Sequence, residues 1–247
     1  MNRIRHQAAL TALLLALFLI LNGCVPVPTK PTVQMVPAAR TLQAEDERYY
    51  LQLHAAGKPV LAVDTEKSLI VIEVHRGGRL ARLGHEHIVA SHDVRGWVAP
   101  DEGRADLAIP LDSLTVDEVP LRAEAGLDPD LPQQAIEGTR RNMLDKVLES
   151  ARYPLAHVRI SRDATQANLL HIALSIHGVT RNMDVPARIT RQGNGVLAEG
   201  RISFRQSEFG IVPFSVLGGA LQVEDRIDLR FHIATAPLQP SSGQLSP

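Results

Sequence analysis

The chain alternates apolar and polar residues from about Ser68 onward, with the period of two that is typical of β-strands buried on one face. In the clearest run, Leu221 to Ile233, apolar side chains alternate with charged or polar ones over most of the segment. Seven earlier segments show similar alternation: Ile70 to Val74, Leu83 to Val98, Leu107 to Leu111, Val158 to Ile160, Leu170 to Ile176, Val185 to Ile189, and Val196 to Phe204. The pattern therefore predicts an all-β fold in which eight antiparallel strands close into a barrel.

One segment departs from this period. Between Leu131 and Arg152 apolar residues recur at helical spacing, with Pro132 near the start and Pro154 just past the end. We predict one amphipathic helix here, and its apolar stripe needs an end or a side of the sheet to pack against.

The N-terminus has the pattern of an export signal. Arg3 and Arg5 precede an apolar stretch shorter than the roughly 18 to 20 residues that span a bilayer. The stretch ends in residues 21–23 (Leu, Asn, Gly) before Cys24, the single cysteine of the chain. This arrangement resembles the lipobox of bacterial lipoproteins, in which the cysteine thiol receives a diacylglyceryl group. An ordinary signal peptide with a chance cysteine and an uncleaved anchor helix are the alternatives.

Lipidation at Cys24 predicts a protein that is anchored in the cell envelope and faces the periplasm. Lipid transfer requires a thiolate nucleophile, and two or three acyl chains give the stable anchoring that one chain does not. Val25, and not Asp, follows the cysteine, which favours the outer membrane over the inner membrane. We divide the chain into a signal peptide (1–23), a proline-rich, semi-extended tether (24–45), a lead-in that is a short helix or irregular (46–62), a barrel domain (63–236) and a flexible tail (237–247).

Composition and motifs exclude several classes of function. Removing residues 1–23 takes away two of the 26 basic residues and none of the 27 acidic ones, which leaves a formal charge of −3. A mildly acidic chain with 4% aromatic residues has neither the charge nor the stacking platforms of a nucleic-acid binder. The sequence contains no Gly-x-Ser-x-Gly elbow and no dinucleotide or phosphate-binding fingerprint. We therefore expect neither an enzyme nor a cofactor.

Several short motifs resemble the YceI-like family in their order and spacing. They are Leu83 to His87, Leu111 to Asp117, Met143 to Leu148 followed by Arg152 to Pro154, Ile176 to Arg181, and Phe209 to Ile211. The resemblance covers about residues 60 to 235. It implies an eight-stranded, lipocalin-like antiparallel barrel with one helix, exported to the periplasm, and some family members hold a polyisoprenoid chain inside the barrel.

The inward positions of such a barrel decide what it contains. An eight-stranded barrel is just wide enough either to fill itself with side chains or to enclose one narrow ligand. Most of the inward positions are aliphatic, which favours a long, apolar, possibly isoprenoid ligand over a fully packed interior. The predicted ligand-binding residues are Ile70, Ile72, Val74, Leu174, Phe204, Leu229 and Phe231.

His85 and His87 are the candidate polar residues. They lie two apart on an expected strand, so we expect their rings to point to the same side. There they either hydrogen-bond a turn or sit at the barrel mouth, or they contact the polar head of a ligand. Paired imidazoles also suit zinc or copper, but a metal site needs a third or fourth ligand, and we expect no metal. A metal-handling or enzymatic envelope protein centred on this pair and a ligand-free interaction scaffold are the alternative functions.

Overall fold

The computed structural model describes residues 37–162, 165–166 and 168–238. The predicted signal peptide, the lipidation site Cys24, most of the predicted tether and most of the tail lie outside these residues. None of the helices within the described residues has the length and apolar character needed to cross a membrane.

The described residues form a sheet of twelve antiparallel strands and three α-helices. The strands are β1 (Leu61–Val63), β2 (Leu69–Gly77), β3 (His87–Ser91), β4 (Arg95–Ala99), β5 (Arg104–Pro110), β6 (Thr115–Val116), β7 (Leu155–Ser161), β8 (Leu169–Ile176), β9 (Val179–Gln192), β10 (Gly195–Arg205), β11 (Ser215–Val216) and β12 (Leu221–Pro237). The helices are α1 (Pro37–Ala55), α2 (Val119–Glu124) and α3 (Gln133–Asn142), and a π-helical turn, Met143–Val147, continues α3.

The sheet closes on itself because β1 pairs with both β4 and β12, so that a continuous ring runs β1, β4, β5, β7, β8, β9, β10, β12. The pairs β1 and β2, β3 and β4, and β5 and β6 are each successive pieces of one broken strand. The short β11 pairs only with β12, at its start. The predicted closed eight-stranded antiparallel barrel is therefore confirmed.

A glycine allows one of the tightest contacts between neighbouring strands. Gly96 on β4 has φ +150°, and a Cβ atom at this position would lie 2.2 Å from the carbonyl oxygen of Asp106 on β5. Since no other residue type lacks this atom, the close approach of β4 and β5 depends on glycine.

Register and alternation then sort the side chains between the two faces. Leu229 on β12 pairs with Ile72 on one side and Ile202 on the other, and all three belong to the inward, apolar set. Side chains at the alternate positions of β2 and β3 point outward. There Val71, Ile88 and Ala90 pack against Leu121 of α2 in a small outer cluster.

Two helical predictions need correction. Helix α1 begins at Pro37, so residues 37–45 are helical and not semi-extended, and the helix continues into the predicted lead-in. The amphipathic helix predicted to reach Arg152 ends at the π-helical turn, where the Leu148 N–H bonds the Met143 carbonyl five residues back. Glu149 then takes a positive φ of 45°, which reverses the chain.

Candidate functional site

The interior of the barrel holds two adjoining cavities. The turn-side cavity, of about 210 Å³, lies near the β4–β5 turn, and the helix-side cavity, of about 270 Å³, lies beneath α3 and its π-helical turn. Five residues line both cavities and so mark where they meet: Ile70, Val158, Leu174, Phe204 and Leu229. The barrel is therefore not filled by its own side chains.

All seven residues predicted to bind the ligand lie on the walls of these cavities. Ile72 and Val74 line the helix-side cavity, Phe231 lines the turn-side cavity, and the other four line both. Their contact with a ligand stays a prediction. The walls are almost wholly apolar, which suits a hydrocarbon chain and offers little to a polar molecule.

Strand β3 brings polar groups into the helix-side cavity. His87, Val89 and Ser91 alternate along the inward face of the strand and line the cavity. Ser91 is 1% exposed, and within the described part of the chain its Oγ is a buried side-chain atom with no hydrogen-bond partner. A buried hydroxyl without a partner costs free energy, so this atom suits a polar group of a bound molecule or a water molecule. Sequence analysis missed Ser91, because a serine in a strand gives no local indication of burial.

His87 is oriented from behind by a buried carboxylate. Its Nδ1 lies 2.6 Å from Oδ2 of Asp117, which is itself 2% exposed. The other carboxylate oxygen of Asp117 accepts hydrogen bonds from the Ile88 backbone N–H at 3.0 Å and from the guanidinium of Arg122 at 2.6 Å.

These contacts keep the Asp117 carboxyl ionised and so orient the proton on the His87 ring. Burial by itself would raise the pKa of the Asp117 carboxyl, but the hydrogen bonds from His87, Ile88 and Arg122 outweigh it and lower this pKa. An ionised carboxylate only accepts hydrogen bonds, so Nδ1 of His87 is the protonated nitrogen that donates to it. The Nε2 atom of His87 is left as the imidazole nitrogen available to a ligand in the helix-side cavity.

His85 does not share this position. The strand begins at His87, and His85 lies exposed in the loop before it. The expectation that the two rings share one strand face is therefore wrong, because that loop does not have the strand's alternation. The structure thus removes the paired-imidazole geometry that a metal site centred on these residues would need.

A second polar cluster, on the outer wall of the barrel, was missed by sequence analysis. Asp46 of α1 accepts hydrogen bonds from His157 at 2.7 Å and Arg159 at 3.0 Å, and Asp106 accepts from Arg104 and from Arg159 at 2.7 Å each. Asp46, Asp106 and His157 have the ligand types and spacing of a cation site. Both carboxylates, however, are already neutralised by arginine, so the cluster is best explained as the attachment of α1 to the barrel.

Tyr50 completes this attachment. It is fully buried, donates a 2.8 Å hydrogen bond to Asp106 and stacks on Trp97 of β4 at 5.9 Å between ring centroids. Burial raises the pKa of the Tyr50 hydroxyl, and the neighbouring Asp106 carboxylate raises it further. For Asp106, burial favours a higher pKa, but the bonds from Arg104, Arg159 and Tyr50 prevail and lower it.

A model of the YceI-like domain matches residues 62–235 of the chain. The chain belongs to the YceI-like family. Helix α1 lies outside the matched residues, so the YceI-like barrel carries an additional helix on its outer wall. No curated protein sequence matches the chain significantly.

The solved structures that the chain resembles are distant from it in sequence. A polyisoprenoid binding domain from Saccharophagus degradans superposes with a TM-score of 0.53 at 13% identity, over 73% of this chain and 100% of that one. BcnA from Burkholderia cenocepacia gives a TM-score of 0.48 at 16% identity, over 70% and 99% of the two chains. The YceI protein of Campylobacter jejuni gives 0.41 at 14% identity, over 62% and 85%. The likeness to the Saccharophagus degradans domain, at 13% identity, shows the fold alone.

Proposed function

We propose that this YceI-like protein is a lipid-anchored envelope protein that binds one long apolar chain, isoprenoid or similar, inside its barrel. The pair of adjoining apolar cavities is the observation that carries the proposal. The Saccharophagus degradans protein, which shares the fold, is a polyisoprenoid binding domain, and this supports the same class of ligand here.

The shape of the interior favours a chain over a compact molecule. Each cavity alone is smaller than the roughly 300 to 1,000 Å³ of a typical small-molecule pocket. The two share walls at Leu229 and Phe204, so one flexible chain is able to thread through both. Binding is the role that such a lining supports, because nearly all of the wall is apolar and His87 and Ser91 are the polar exceptions described above.

The polar atoms near α3 indicate which kind of ligand group suits the helix-side cavity. His87 and Ser91 line one wall of the helix-side cavity and offer an imidazole nitrogen and a hydroxyl to a polar group. Arg122, the cation nearest to them in the hydrogen-bond network, is engaged by Asp117. This end therefore suits a neutral oxygen-bearing group better than an anionic head.

Organic extraction of protein purified gently from its native envelope, followed by mass spectrometry, tests the proposal. We expect one long-chain lipid per protein. Protein that contains no lipid, and that takes up no polyisoprenoid alcohol when it is offered one in detergent, would show that the carrier function is wrong.

The anchor is tested separately from the cargo. Cys24→Ser keeps the shape of the side chain but removes the thiolate, so labelling cells with an alkyne fatty acid should mark the wild type and not the variant. Equal labelling of both would contradict lipidation at Cys24. Fractionation of the labelled envelope tests the expected outer-membrane location.

A further inference from the structure

Two loops at one end of the barrel present apolar side chains to solvent. The first loop joins β2 to β3 (residues 78–86), and the second runs from Gly210 to Ala220 around β11. They carry five of the seven large apolar side chains that are exposed in the described residues: Leu80, Leu83, Val212, Val216 and Leu217. Leu83, Val212 and Leu217 are 73%, 79% and 72% exposed, so these side chains contribute little to the core.

The two loops are in direct contact and form one surface. The Leu80 N–H donates a 2.8 Å hydrogen bond to the Ala220 carbonyl. A Cβ atom on Gly78, which has φ +86°, would lie 2.5 Å from that same oxygen, so only glycine permits this approach. We call this surface, residues 76–84 together with 210–221, the loop face.

Strain in the second loop supports a role for its exposed leucine. Leu217 has a φ of 54°, in the left-handed region that bulky residues rarely adopt, and glycines follow it at 218 and 219. A leucine held in this conformation and left in water gains nothing from the fold itself. Such a position is more readily explained by contact with something outside the chain.

The charge of the loop face identifies its partner. Residues 76–84 contain Arg76, Arg79 and Arg82, all exposed, and neither 76–84 nor 210–221 contains an acidic residue, although the whole chain has a formal charge of −1. Lys146 adds a further cation, 5.7 Å from the ring of Phe214. Glu86 at the end of the first loop, Glu208 just before Gly210, and Glu224, which adjoins Gly77, are among the acidic residues that border the loop face. Apolar side chains beside arginines match the acyl region and the anionic headgroups of a bilayer.

The loop face also adjoins the helix-side cavity. Phe214 and Val223 line that cavity, and the Val223 N–H bonds the Phe214 carbonyl at 2.9 Å within the loop face and its neighbouring strand. A barrel end pressed against a bilayer would place this cavity next to the lipid phase.

We propose that the loop face docks on the surface of an anionic lipid bilayer, as a membrane contact separate from the predicted anchor at Cys24. The contact itself does not require the proposed ligand. Where the ligand is a membrane lipid, the docked orientation gives it a short path into the helix-side cavity.

A position-specific label tests the proposal in the full chain. Because Cys24 is the single cysteine, Cys24→Ser gives a cysteine-free background in which Leu83→Cys or Leu217→Cys carries an environment-sensitive nitrobenzoxadiazole label. Leu51→Cys is the matched control, because Leu51 is also apolar and 49% exposed but lies on α1. The label is needed because residues 8–20 are themselves apolar and would bind vesicles without any contribution from the loop face.

We expect labels at 83 and 217, and not at 51, to move into an apolar environment on phosphatidylglycerol-containing vesicles, and the shift to weaken in high salt. Arg79→Gln together with Arg82→Gln should lower the affinity of the loop face for the vesicles, as read from this shift, about 30-fold, at about fivefold for each arginine. Labels that stay in water on vesicle-bound chain, or that respond equally at position 51, would overturn the proposal. The proposal would also be overturned if the labels became shielded from water only when envelope proteins were added. Lipid content measured on the same samples tests the proposed ligand separately. A protein that docks but contains no lipid would contradict the proposed ligand and leave the membrane contact supported.

Discussion

At the scale of single residues, Asp117 does the most to hold the helix-side cavity in shape. Its carboxylate accepts hydrogen bonds from His87, Ile88 and Arg122, and its own side chain has no exposure. Asp117→Asn should lower the free energy of unfolding by about 3 to 5 kcal/mol, because it leaves the buried Arg122 without its counter-charge. Denaturant unfolding measures the change. Asp145→Asn, at an exposed carboxylate, is the control and should change stability by no more than about 0.5 kcal/mol.

The same carboxylate sets part of the pH dependence of stability. The pKa of Asp117 is lowered in the folded protein, so the unfolded chain binds protons more readily in acid. The stabilisation is complete above the ordinary carboxyl pKa of about 4 and is lost as the pH falls through the lowered value. Asp117→Asn should therefore flatten the loss of stability below about pH 4. An acid profile as steep as that of the wild type would contradict this account of Asp117.

Ser91 gives a prediction of opposite sign to the usual one for a buried hydroxyl. Its Oγ has no hydrogen-bond partner among the described residues, so Ser91→Ala in lipid-free protein should leave stability unchanged or raise it by about 1 kcal/mol. Ser68 is the matched control: it is also buried, but it donates to the Asp64 carbonyl and accepts from the Ala234 N–H. Ser68→Ala should cost about 1 kcal/mol. Thermal unfolding of Ser91→Ala and Ser68→Ala tests this prediction. Equal destabilisation of the two variants would show that the Ser91 hydroxyl has a hydrogen-bond partner.

At the scale of elements, α1 depends on its polar contacts. Within the described residues its apolar packing includes Tyr50 and Leu53 in a cluster with Trp97, and its polar contacts run through Tyr50 and through Asp46, which bonds His157 and Arg159. Asp46→Ala should speed amide hydrogen exchange in residues 43–55 by about tenfold or more, since a lost buried contact of 1.4 kcal/mol or above corresponds to that factor. Leu51→Ala, at an exposed position on the same helix, should leave the exchange unchanged. Unaltered exchange in Asp46→Ala would mean that α1 is held in another way.

Local patterns predicted those elements whose burial follows a simple period. Most strands between Leu69 and Ile233 have one wet and one dry face, so alternation in the sequence indicates them directly, whereas β3 and β5 are buried on both faces. The end of α3 was overestimated because Leu148 and Ala151 happen to continue the helical spacing after the chain has turned at Glu149. The start of α1 was missed because prolines dominate the segment before it, and because part of its attachment is polar.

The residues of the candidate site also fall into those that the strand period predicts and those that it does not. Inward positions such as Ile72, Leu174 and Leu229 follow from the strand period, and the cavities lie where that period places them. Partners distant in sequence leave no such trace: His87 is 30 residues from Asp117, and Asp46 is 111 residues from His157. Neither contact follows from spacing along the chain.

At the scale of the whole molecule, the proposed function requires a hollow barrel that holds one apolar chain. Leu229 lines both cavities, and the next residue, Arg230, lies on the outer face, where it pairs with Glu124 of α2. Leu229→Trp would fill space in the interior, whereas Arg230→Trp would change only the surface. The two variants therefore form a matched pair that differs in the face of one strand.

The most direct test is the lipid content of Leu229→Trp and Arg230→Trp, measured by mass spectrometry together with the unfolding midpoint on the same preparations. We predict that Leu229→Trp loses most of its bound lipid with little change in stability, because the added ring occupies space that is already open. Arg230→Trp should keep the wild-type lipid content. Destabilisation of Leu229→Trp by about 1 to 3 kcal/mol, the cost of overpacking a filled core, in a protein that never contained lipid would contradict the hollow barrel and the function proposed from it.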